Sequence, residues 1–233
     1  MRIALISDIH SNLEALTSVL KTIDLLDVDQ IWCLGDVVGY GPFPGACVDM
    51  VRERCAVVLK GNHDAGTVDE LPPTHFNEHG RIAVRWTKGQ LTEEQSSYLK
   101  SLPLVAVLNG ITVAHATPNL PATWRYILSW KDVREAFVGL STEICFIGHT
   151  HVPVIVGDNG SLNTFRRGPR YIVNVGSVGQ PRDGNPRASF GLFDSERWTY
   201  ENIRVSYGVE KTAASLMAAG LPDYLAQRLF LGV

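Results

Sequence analysis

The sequence lacks the features that mark disulfide-stabilised secreted proteins and membrane proteins. Its 233 residues include four cysteines, none of them in a CxxC spacing, so we expect free thiols in a reducing compartment. It contains no run of about 18 apolar residues that would predict a membrane span. The N-terminal stretch MRIALISDIH has too few consecutive apolar residues for a signal peptide. These absences predict a cytoplasmic protein with no membrane partner.

Charge is scarce as well. Charged residues make up 19% of the chain and the net charge is −3, which argues against bulk nucleic-acid binding through a positive field. The sequence contains none of the motifs GxSxG, HExxH, HxHxDH and GxxxxGK[ST], so it gives no support to several other hydrolase classes. A cysteine nucleophile is also unsupported, because Cys33 and Cys145 lie inside predicted strands.

What is present is an ordinary apolar content of 45%, arranged as alternating strands and helices. Short apolar runs predict strands over Arg2–Ser7, Gln30–Gly35 and Cys55–Gly61. Helical spacing predicts helices between them, over Asn12–Leu26 and roughly Ala46–Arg54. This strand–helix–strand order predicts parallel strands joined by right-handed crossovers.

The remainder of the chain is predicted to be richer in strands. Residues 74–100 have a helical pattern, which would put His75 and His79 on one solvated helix face or on a lid. Leu104–Ala116 predicts a hairpin around an Asn-Gly turn, and later strands lead to two closing helices. No repeat, low-complexity tract or linker interrupts the chain, so we expect one domain over 1–233.

Residues that commonly bind metals follow five of the predicted strands. They are Asp8 and His10, then Asp36, then Asn62 with His63 and Asp64, then His115, then His149 and His151. Because sites in open α/β sheets form outside the carboxyl ends of the strands, connectivity alone could bring these groups together. In extended backbone, residues i and i+2 point to the same side, so His149 and His151 would face one site. Each motif alone could be a turn cap or a half-buried ring, whereas the ordered set favours a metal site.

At these residues the sequence resembles the calcineurin-like metallophosphoesterase superfamily. The family pattern of D-x-H, G-D, G-N-H-D/E, a lone H and G-H-x-H is present in order between residues 8 and 151. Asn174–Phe190 also resembles the segment that follows G-H-x-H in small, stand-alone bacterial members of the phosphodiesterase type. The resemblance implies an α/β fold: a four-layer α/β/β/α sandwich of two mixed β-sheets flanked by helices, with a dimetal centre at one end.

The resemblance also implies a ligand set for two divalent transition-metal ions. The first ion would take Asp8, His10, Asp36 and His151. The second ion would take Asp36, Asn62, His115 and His149. Asp36 would bridge the ions, since one carboxylate between two cations reduces their mutual repulsion. Manganese is the first candidate for both positions, with iron, zinc, cobalt and nickel as alternatives.

The reaction implied is hydrolysis of a phosphodiester or a nucleotide phosphoanhydride by attack of a hydroxide that bridges the two metals. The protein would then be a metal-dependent phosphoric ester hydrolase with a small phosphorylated substrate, such as a nucleotide. His63 would protonate the leaving group or stabilise the transition state. Asp64 could orient His63, or could hydrogen-bond the backbone instead. The alternative function is a non-catalytic scaffold of the same fold that docks protein or RNA.

One departure from the family pattern bears on the substrate. The Ser/Thr phosphatase branch carries G-D-x-x-D-R-G, whereas this sequence has Gly39 and Tyr40 at the second Asp and the Arg. This argues against a protein phosphatase. The predicted substrate contacts are Tyr40, Trp124 and Arg125, which lie in loops after predicted ligands, and Arg182 in SVGQPRDGNPR. The aromatic residues could instead close a core edge, and the arginines could be plain surface.

Overall fold

The computed structural model describes residues 1–233 and contains ten strands and eight α-helices. The strands are β1 (Arg2–Ile6), β2 (Gln30–Cys33), β3 (Val57–Val58), β4 (Val105–Leu108), β5 (Ile111–Ala114), β6 (Ile144–Ile147), β7 (Val154–Gly157), β8 (Tyr171–Asn174), β9 (Ala188–Asp194) and β10 (Thr199–Val205). The α-helices are α1 (Leu13–Ile23), α2 (Pro44–Arg54), α3 (Asn62–Thr67), α4 (Glu78–Lys88), α5 (Glu93–Ser101), α6 (Trp130–Phe137), α7 (Val209–Ala218) and α8 (Asp223–Leu231). Two short 3-10 helices cover Pro73–His75 and Pro121–Thr123.

The strands form two mixed, five-stranded sheets. The first has the order β10-β9-β1-β2-β3, in which β1, β2 and β3 are parallel and β9 and β10 are antiparallel additions. The second has the order β4-β5-β6-β8-β7, in which β5, β6 and β8 are parallel. Each sheet therefore has three adjacent parallel strands, and their carboxyl ends share one edge.

The two sheets pack face to face. In β1, Ile3 and Leu5 contribute to the core between the sheets, while Ala4 and Ile6 contribute to the core under the helices. This alternation is the period of two that a pleated strand imposes on its side chains. Phe146 from β6 joins Ile3 and Leu5 from the opposite sheet, and all of these residues are buried. The inter-sheet core thus holds both sheets at a fixed relative position.

Helices cover the outer face of each sheet. The first helix begins where the Asn12 side chain accepts the Ala15 N–H, and its buried residues, such as Leu16, pack on the first sheet with residues of α2 and α5. On the second sheet, Val133 and Phe137 of α6 form the outer core. The order helix, sheet, sheet, helix confirms the predicted four-layer α/β/β/α sandwich.

The last two helices pack beside the loop that follows β2. Leu216 of α7 and Leu225 and Leu229 of α8 form an apolar cluster with Tyr40 and Ala83. Tyr40 lies four residues after a predicted metal ligand, so this contact brings the end of the chain next to the predicted site. Through Tyr40, this cluster borders the predicted site.

The helical prediction over residues 74–100 is wrong in its boundaries. A 3-10 helix ends at His75, and α4 starts only after Asn77, whose side chain accepts the Gly80 N–H at 2.8 Å. His75 and His79 therefore do not share one helix face. The ring of His79 instead stacks on Tyr224 of α8, with 4.8 Å between ring centres.

Two strand predictions had different outcomes. The strand predicted over Cys55–Gly61 is limited to β3, because the chain leaves the sheet at Lys60, whose N–H bonds the Pro103 carbonyl at 2.8 Å. The predicted hairpin is confirmed as β4 and β5. Asn109 and Gly110 both have positive φ, at 51° and 77°, as a two-residue hairpin turn requires.

No helix of this chain is long and apolar enough to cross a membrane. The longest α-helices have 11 residues each. That residues 1–233 form a single domain stays a prediction.

Candidate metal centre

The seven predicted metal-ligand side chains are buried at the carboxyl ends of the parallel strands. They follow β1, β2, β3, β5 and β6, so both sheets contribute to one location. They are Asp8, His10, Asp36, Asn62, His115, His149 and His151. Burial of so many polar side chains is costly unless each has a partner, so their mutual geometry decides what the site can do.

Asp8, His10 and His151 form the first cluster. Oδ1 of Asp8 lies 3.2 Å from Nε2 of His151 and 3.9 Å from Nε2 of His10. The two Nε2 atoms are 3.1 Å apart. The Asp8 carboxylate also accepts the main-chain N–H of His149 at 3.0 Å, which ties the loop after β1 to the loop after β6. Three ligand atoms from two sheets thus converge on one point.

Asp36, His115 and His149 form the second cluster. Oδ2 of Asp36 lies 3.4 Å from Nε2 of His115 and 3.6 Å from Nε2 of His10, which belongs to the first cluster. Oδ1 of Asp36 accepts the main-chain N–H of His63 at 2.8 Å. The Asp36 carboxylate therefore lies between the two clusters, where it can serve both.

One further acceptor atom in the site has no hydrogen-bond partner. Asn62 is the first residue of α3, and its Oδ1 is buried and unpaired. Nε2 of His115, in the second cluster, is also buried without a hydrogen bond and faces Oδ2 of Asp36 at 3.4 Å. A buried polar atom without a partner costs about 1–3 kcal/mol, so such atoms need a specific explanation. Coordination of a cation supplies one.

Main-chain carbonyls set the tautomers of the four imidazoles. A carbonyl only accepts a hydrogen bond, so the ring nitrogen facing it carries the proton, and in a neutral ring the other nitrogen keeps its lone pair. The four bonds run from His10 Nδ1 to Val38 O at 3.2 Å, His115 Nδ1 to Leu34 O at 2.9 Å, His151 Nδ1 to Gln180 O at 2.6 Å and His149 Nε2 to Trp124 O at 2.9 Å.

The facing nitrogens of His10 and His151 test whether a metal ion fits this site. Their tautomers leave two lone pairs 3.1 Å apart, and neither nitrogen can donate to the other. A cation beside both atoms would replace this repulsion with attraction, and Asp8 brings a carboxylate oxygen to the same point. The residues therefore fit a divalent metal ion, with ligand types that suit manganese, iron, zinc and cobalt.

Charge states at neutral pH mostly suit metal binding. Burial raises the pKa of Asp36, but the imidazoles around it, led by His115, outweigh burial and hold this pKa well below its ordinary value. Burial lowers the pKa of His149 to about 3 and holds that of His10 well below its ordinary value. Burial also lowers the pKa of His115, but Asp36 and Asp8 outweigh it and raise the pKa to about 9. A metal ion at His115 would compete with that proton.

The ligand residues do not have the extended backbone that their spacing predicted. The φ angle is 53° at Asp8, 49° at His10, 68° at His149 and 62° at His151, all in the left-handed region. The prediction that His149 and His151 lie in an extended segment is therefore wrong. Left-handed residues are strained, and cross-loop bonds such as Asp8 N–H to the Gly35 carbonyl at 3.0 Å hold them. The turn sends the two imidazoles to different clusters.

Two motif glycines are required by close approach to the carboxylates. A Cβ on Gly61 would lie 2.0 Å from Oδ1 of Asp36. A Cβ on Gly148 would lie 2.0 Å from Oγ of Ser7 and 2.4 Å from Oδ2 of Asp8. Real Cβ atoms essentially never come within 3.0 Å of a neighbour, so any larger residue would displace these groups. This explains why glycine precedes the ligands in both motifs.

His63 lies beside the clusters in an aromatic environment. Its ring centre is 4.8 Å from that of His10, 4.4 Å from that of Tyr40 and 4.9 Å from that of Phe76. Its Nδ1 is buried and unpaired, and a Cβ on Gly39 would lie 2.5 Å from it. Gly39 therefore stands where the aspartate of the Ser/Thr phosphatase pattern would have to fit. Burial lowers the pKa of His63 to about 4.

Asp64 supports the backbone of the site. Its Oδ1 accepts the Val38 N–H at 3.1 Å, and its Oδ2 accepts the Gly61 N–H at 2.9 Å. Burial, followed by the charge of Asp36, raises the pKa of Asp64 to about 7. Of the two roles left open by the sequence, the contacts are those of the backbone role, and Asp64 makes no hydrogen bond to His63.

Two of the four predicted substrate contacts border the clusters. The ring of Tyr40 lies 4.8 Å from the ring of His10, centre to centre. The guanidinium of Arg182 lies 5.9 Å from the centre of the Tyr40 ring, and its Nη2 donates to Oε1 of Gln180 at 2.9 Å. Both side chains therefore border the site, and a contact of either with substrate stays a prediction.

The other two predicted contacts have different positions. Trp124 contributes its main-chain oxygen to His149, and its ring lies 6.1 Å from that of His115. Arg125 forms an ion pair with Glu135 of α6 at 2.9 Å. This ion pair points the Arg125 guanidinium toward α6 in the structure, and a contact of Arg125 with substrate stays a prediction.

Tyr126 borders the site although it was not among the four predicted contacts. Its ring stacks on His149, with 4.0 Å between centres and an interplanar angle of 15°. The only sequence signal for this contact is that Tyr126 belongs to the aromatic segment after His115. The stack fixes the plane of the His149 ring.

Known proteins are similar to this chain in sequence and in fold. Residues 1–197 match the sequence model of the calcineurin-like phosphoesterase superfamily domain. The crystal structure of a metallophosphoesterase from Sphaerobacter thermophilus is 41% identical, with a TM-score of 0.89, and the match covers 100% of this chain and 99% of that chain. An uncharacterized protein of Methanocaldococcus jannaschii is 38% identical over 240 residues, 99% of this chain and 98% of its own length. Phosphodiesterase YfcE of Escherichia coli is 28% identical over 206 residues, 84% of this chain and 89% of its own length.

The sandwich, the buried Asp and His clusters and these similarities define a metal-dependent hydrolase of phosphoric esters. More narrowly, the chain belongs to the calcineurin-like phosphoesterase superfamily. Members of this superfamily use divalent metals, and the candidate site described above has the side chains to hold them. The family match ends before α7 and α8, so the two helices that pack on Tyr40 lie outside it.

Proposed function

We propose that this protein hydrolyses a phosphodiester or a nucleotide phosphoanhydride with the help of two divalent metal ions. The single observation that carries the proposal is the pair of buried Asp and His clusters that share the Asp36 carboxylate. Manganese is the first candidate for the metal, with iron, zinc, cobalt and nickel as alternatives. The substrate is proposed to be a small phosphorylated molecule, such as a nucleotide.

The proposed ligand sets follow the two clusters. One ion would be held by Asp8, His10, Asp36 and His151, and the other by Asp36, Asn62, His115 and His149. When bound, the two ions would supply Lewis-acid chemistry, polarising phosphoryl oxygens and lowering the pKa of water at the site. The neutral amide of Asn62 and the neutral imidazoles leave the site with net positive charge toward a phosphate.

His63 is proposed to assist the leaving group. In the hydrolysis, a water oxygen forms a bond to phosphorus, the bond from phosphorus to the leaving oxygen breaks, and that oxygen takes up a proton. Because burial lowers the pKa of His63 to about 4, its imidazole is neutral at pH 7 and can donate an N–H hydrogen bond that stabilises the charge developing on the leaving oxygen. The proton that the leaving oxygen takes up is the one that the attacking water loses.

The surroundings of His63 favour phosphodiesters and nucleotide phosphoanhydrides over phosphoproteins as substrates. Tyr40 stands where the Ser/Thr phosphatase pattern has a phosphate-binding arginine, and Gly39 leaves His63 without a carboxylate partner. The relative named a phosphodiesterase supports the same direction. The scaffold alternative has no observation in its favour, since every predicted ligand is present and buried.

The test is hydrolysis of bis-p-nitrophenyl phosphate by purified protein reconstituted with manganese, and separately with iron, zinc, cobalt or nickel. Asp36→Asn should lose metal, measured by mass spectrometry after desalting, and should reduce the rate by at least about 100-fold, since Asp36 serves both clusters. Asp27→Asn is the matched control, because Asp27 is exposed and its side chain has no hydrogen-bond or ion-pair partner. Absence of turnover with all five metals would contradict the proposal.

A further inference from the structure

A cavity of about 240 Å³ lies on the outer face of the second sheet, between α6 and strands β6, β8 and β7. Nine of its twelve lining residues are apolar, and none is charged. Val133 of α6, Val156 of β7 and Ile172 of β8 line it and also belong to the buried core under α6. This packed core therefore fixes the shape of the cavity wall.

The cavity adjoins the second metal cluster, because the segments that line it also carry or contact His149. Ile147 and Thr150 line the cavity on either side of this ligand in the sequence, and neighbouring Cα atoms of a chain are about 3.8 Å apart. Ile127 lines it as well and directly follows Tyr126, whose ring stacks on His149 with 4.0 Å between centres. Tyr126 is 45% exposed, so this boundary faces solvent. One molecule can therefore reach both the cluster and the cavity.

The size of the cavity suits one part of a substrate rather than a whole molecule. Pockets that enclose an entire drug-sized ligand have volumes of roughly 300–1,000 Å³. An apolar cavity of about 150 Å³ is large enough to hold benzene. At about 240 Å³, this cavity therefore fits a single aromatic ring or a short alkyl chain.

The polar residues of the lining already have partners within the chain. The Asn174 side chain donates to Oγ1 of Thr150 at 3.0 Å and accepts the Gly176 N–H at 2.9 Å. The Ser129 hydroxyl donates to the Asp132 carboxylate at 2.7 Å. A nucleobase in the cavity would leave its own donors and acceptors unpaired, which is unfavourable. The lining therefore favours an uncharged apolar group over a nucleobase.

The mouth of the cavity exposes large apolar side chains. Leu128, Trp130 and Leu162 line the cavity, and they are 77%, 44% and 53% exposed. Single exposed apolar residues are ordinary, whereas several around one concave site are typical of a binding surface. An apolar ligand group would remove part of this surface from water.

We infer that this cavity binds an apolar organic group that is esterified to the substrate phosphate. The inference rests on the proposed function, and it narrows the substrate to phosphodiesters in which one ester group is a short alkyl or aryl group. With the phosphate at the metal clusters, this group would extend past Tyr126 and Thr150 into the cavity. A nucleoside in the same position would gain little from the apolar wall.

The first measurement compares phosphodiesters that share a leaving group. With the manganese-loaded protein, kcat/KM for hexyl p-nitrophenyl phosphate should exceed that for methyl p-nitrophenyl phosphate by at least about tenfold, since each buried CH₂ contributes about fourfold. The gain should appear mainly in KM, because the hexyl group is bound before and during the reaction. Adenosine 5′-(p-nitrophenyl phosphate) should be a poorer substrate than the hexyl ester.

Two variants change the cavity in different ways. Leu162→Asp places a charge at the mouth, and Val154→Phe fills part of the space that Val154 lines. Each should lower the ratio of kcat/KM for the hexyl ester to that for the methyl ester at least about fivefold. The matched controls are Val107→Asp and Val105→Phe on β4, at the opposite edge of the same sheet, where the two side chains are 62% and 37% exposed.

The second measurement does not depend on turnover. Calorimetry compares binding of hexylphosphonate with binding of methylphosphonate, neither of which contains an ester bond or an aromatic ring. The wild-type protein should prefer hexylphosphonate by at least about tenfold. Leu162→Asp and Val154→Phe should lose most of this preference, and both controls should keep it.

The outcomes separate this inference from the proposed function. If no diester is hydrolysed, the proposed function fails and the calorimetry alone decides the cavity. If the cavity variants and the controls have the same hexyl-to-methyl ratios, the inference is overturned. A preference for the adenosine ester that Val154→Phe abolishes would also overturn it, because the cavity would then hold a nucleobase. Should Val154→Phe fail to fold, Leu162→Asp, whose side chain is largely exposed, gives the deciding ratios.

Discussion

Replacing Gly61 with alanine tests the geometry of the proposed metal site without replacing any of the predicted ligands. The φ angle of Gly61 is −97°, which alanine adopts without strain. The added methyl group, however, would lie 2.0 Å from Oδ1 of Asp36 and 2.3 Å from its main-chain nitrogen, whereas ordinary contact begins at 3.4 Å. The Asp36 carboxylate must therefore move by about 1 Å or more, in a packed interior that yields little.

The magnitude follows from the tolerance of metal ligands. Ligand distances in a functional site hold to about 0.2 Å, and a misplacement of about 1 Å can cost on the order of 100-fold in rate. We expect Gly61→Ala to weaken manganese binding at least about tenfold and to lower kcat/KM for bis-p-nitrophenyl phosphate at least about 100-fold. Overpacking should also destabilise the fold by about 1–3 kcal/mol.

The assay combines metal content after desalting, kcat/KM and thermal unfolding. Gly208→Ala is the matched control, because Gly208 also has negative φ and a Cβ there would meet only Lys211 Cβ, at 3.6 Å. This control should keep the metal content and rate of the wild type. If folded Gly61→Ala also binds two metal ions and turns over at the wild-type rate, Asp36 does not have the role proposed for it.

Three further predictions concern parts of the chain away from the metals. Burial raises the pKa of Cys55 to about 12, and it also raises the pKa of the three buried cysteines. At pH 8 the native protein should therefore react with a thiol reagent far more slowly than the denatured protein, in which all four thiols should react. The reaction rate of the native protein should rise about tenfold per pH unit as the pH approaches 12. A fast-reacting native thiol would contradict this. Phe146→Ala should destabilise the protein by about 3–5 kcal/mol in denaturant unfolding, and a loss below about 1 kcal/mol would refute its place in the inter-sheet core. Thr92→Ala should cost about 1 kcal/mol, because it removes one half of the capping box that begins α5; no change in the unfolding midpoint would show that the cap is not needed.

The sequence allowed the layers of the fold to be predicted because apolar periodicity and turn chemistry are local. The apolar run that marks the first strand, Arg2–Ser7, is visible in the sequence, and so is the Asn-Gly turn of the hairpin. Boundaries were less accurate where a tertiary contact decides them. The bond from Lys60 to the Pro103 carbonyl, which ends the third strand early, has no signature in either segment.

For the candidate site, the sequence predicted which side chains would gather but not their conformation. The strand ends that carry Asp8 and Asp36 meet because β1 and β2 are parallel neighbours in one sheet, which follows from connectivity. His115 follows a strand of the other sheet and reaches them because the two sheets pack face to face. The left-handed backbone at His149 and His151 was not predictable, since it depends on bonds between loops that are distant in sequence. The extended geometry expected from their spacing was wrong for this reason.

Contacts made through the main chain were invisible to the sequence analysis. Any residue can supply the carbonyl oxygen that Trp124 offers to His149, so no residue type marks that position. The ion pair of Arg125 with Glu135 on α6 was likewise not visible, because the two residues lie in different elements.

The most direct test of the central claim is anomalous X-ray diffraction from crystals grown with manganese, recorded at the manganese absorption edge. We expect two peaks per chain, roughly 3.5–4 Å apart, with the Asp36 carboxylate between them and the two His/Asp clusters around them. A single peak, no peak, or peaks away from Asp36 would contradict the dimetal site on which the proposed chemistry depends.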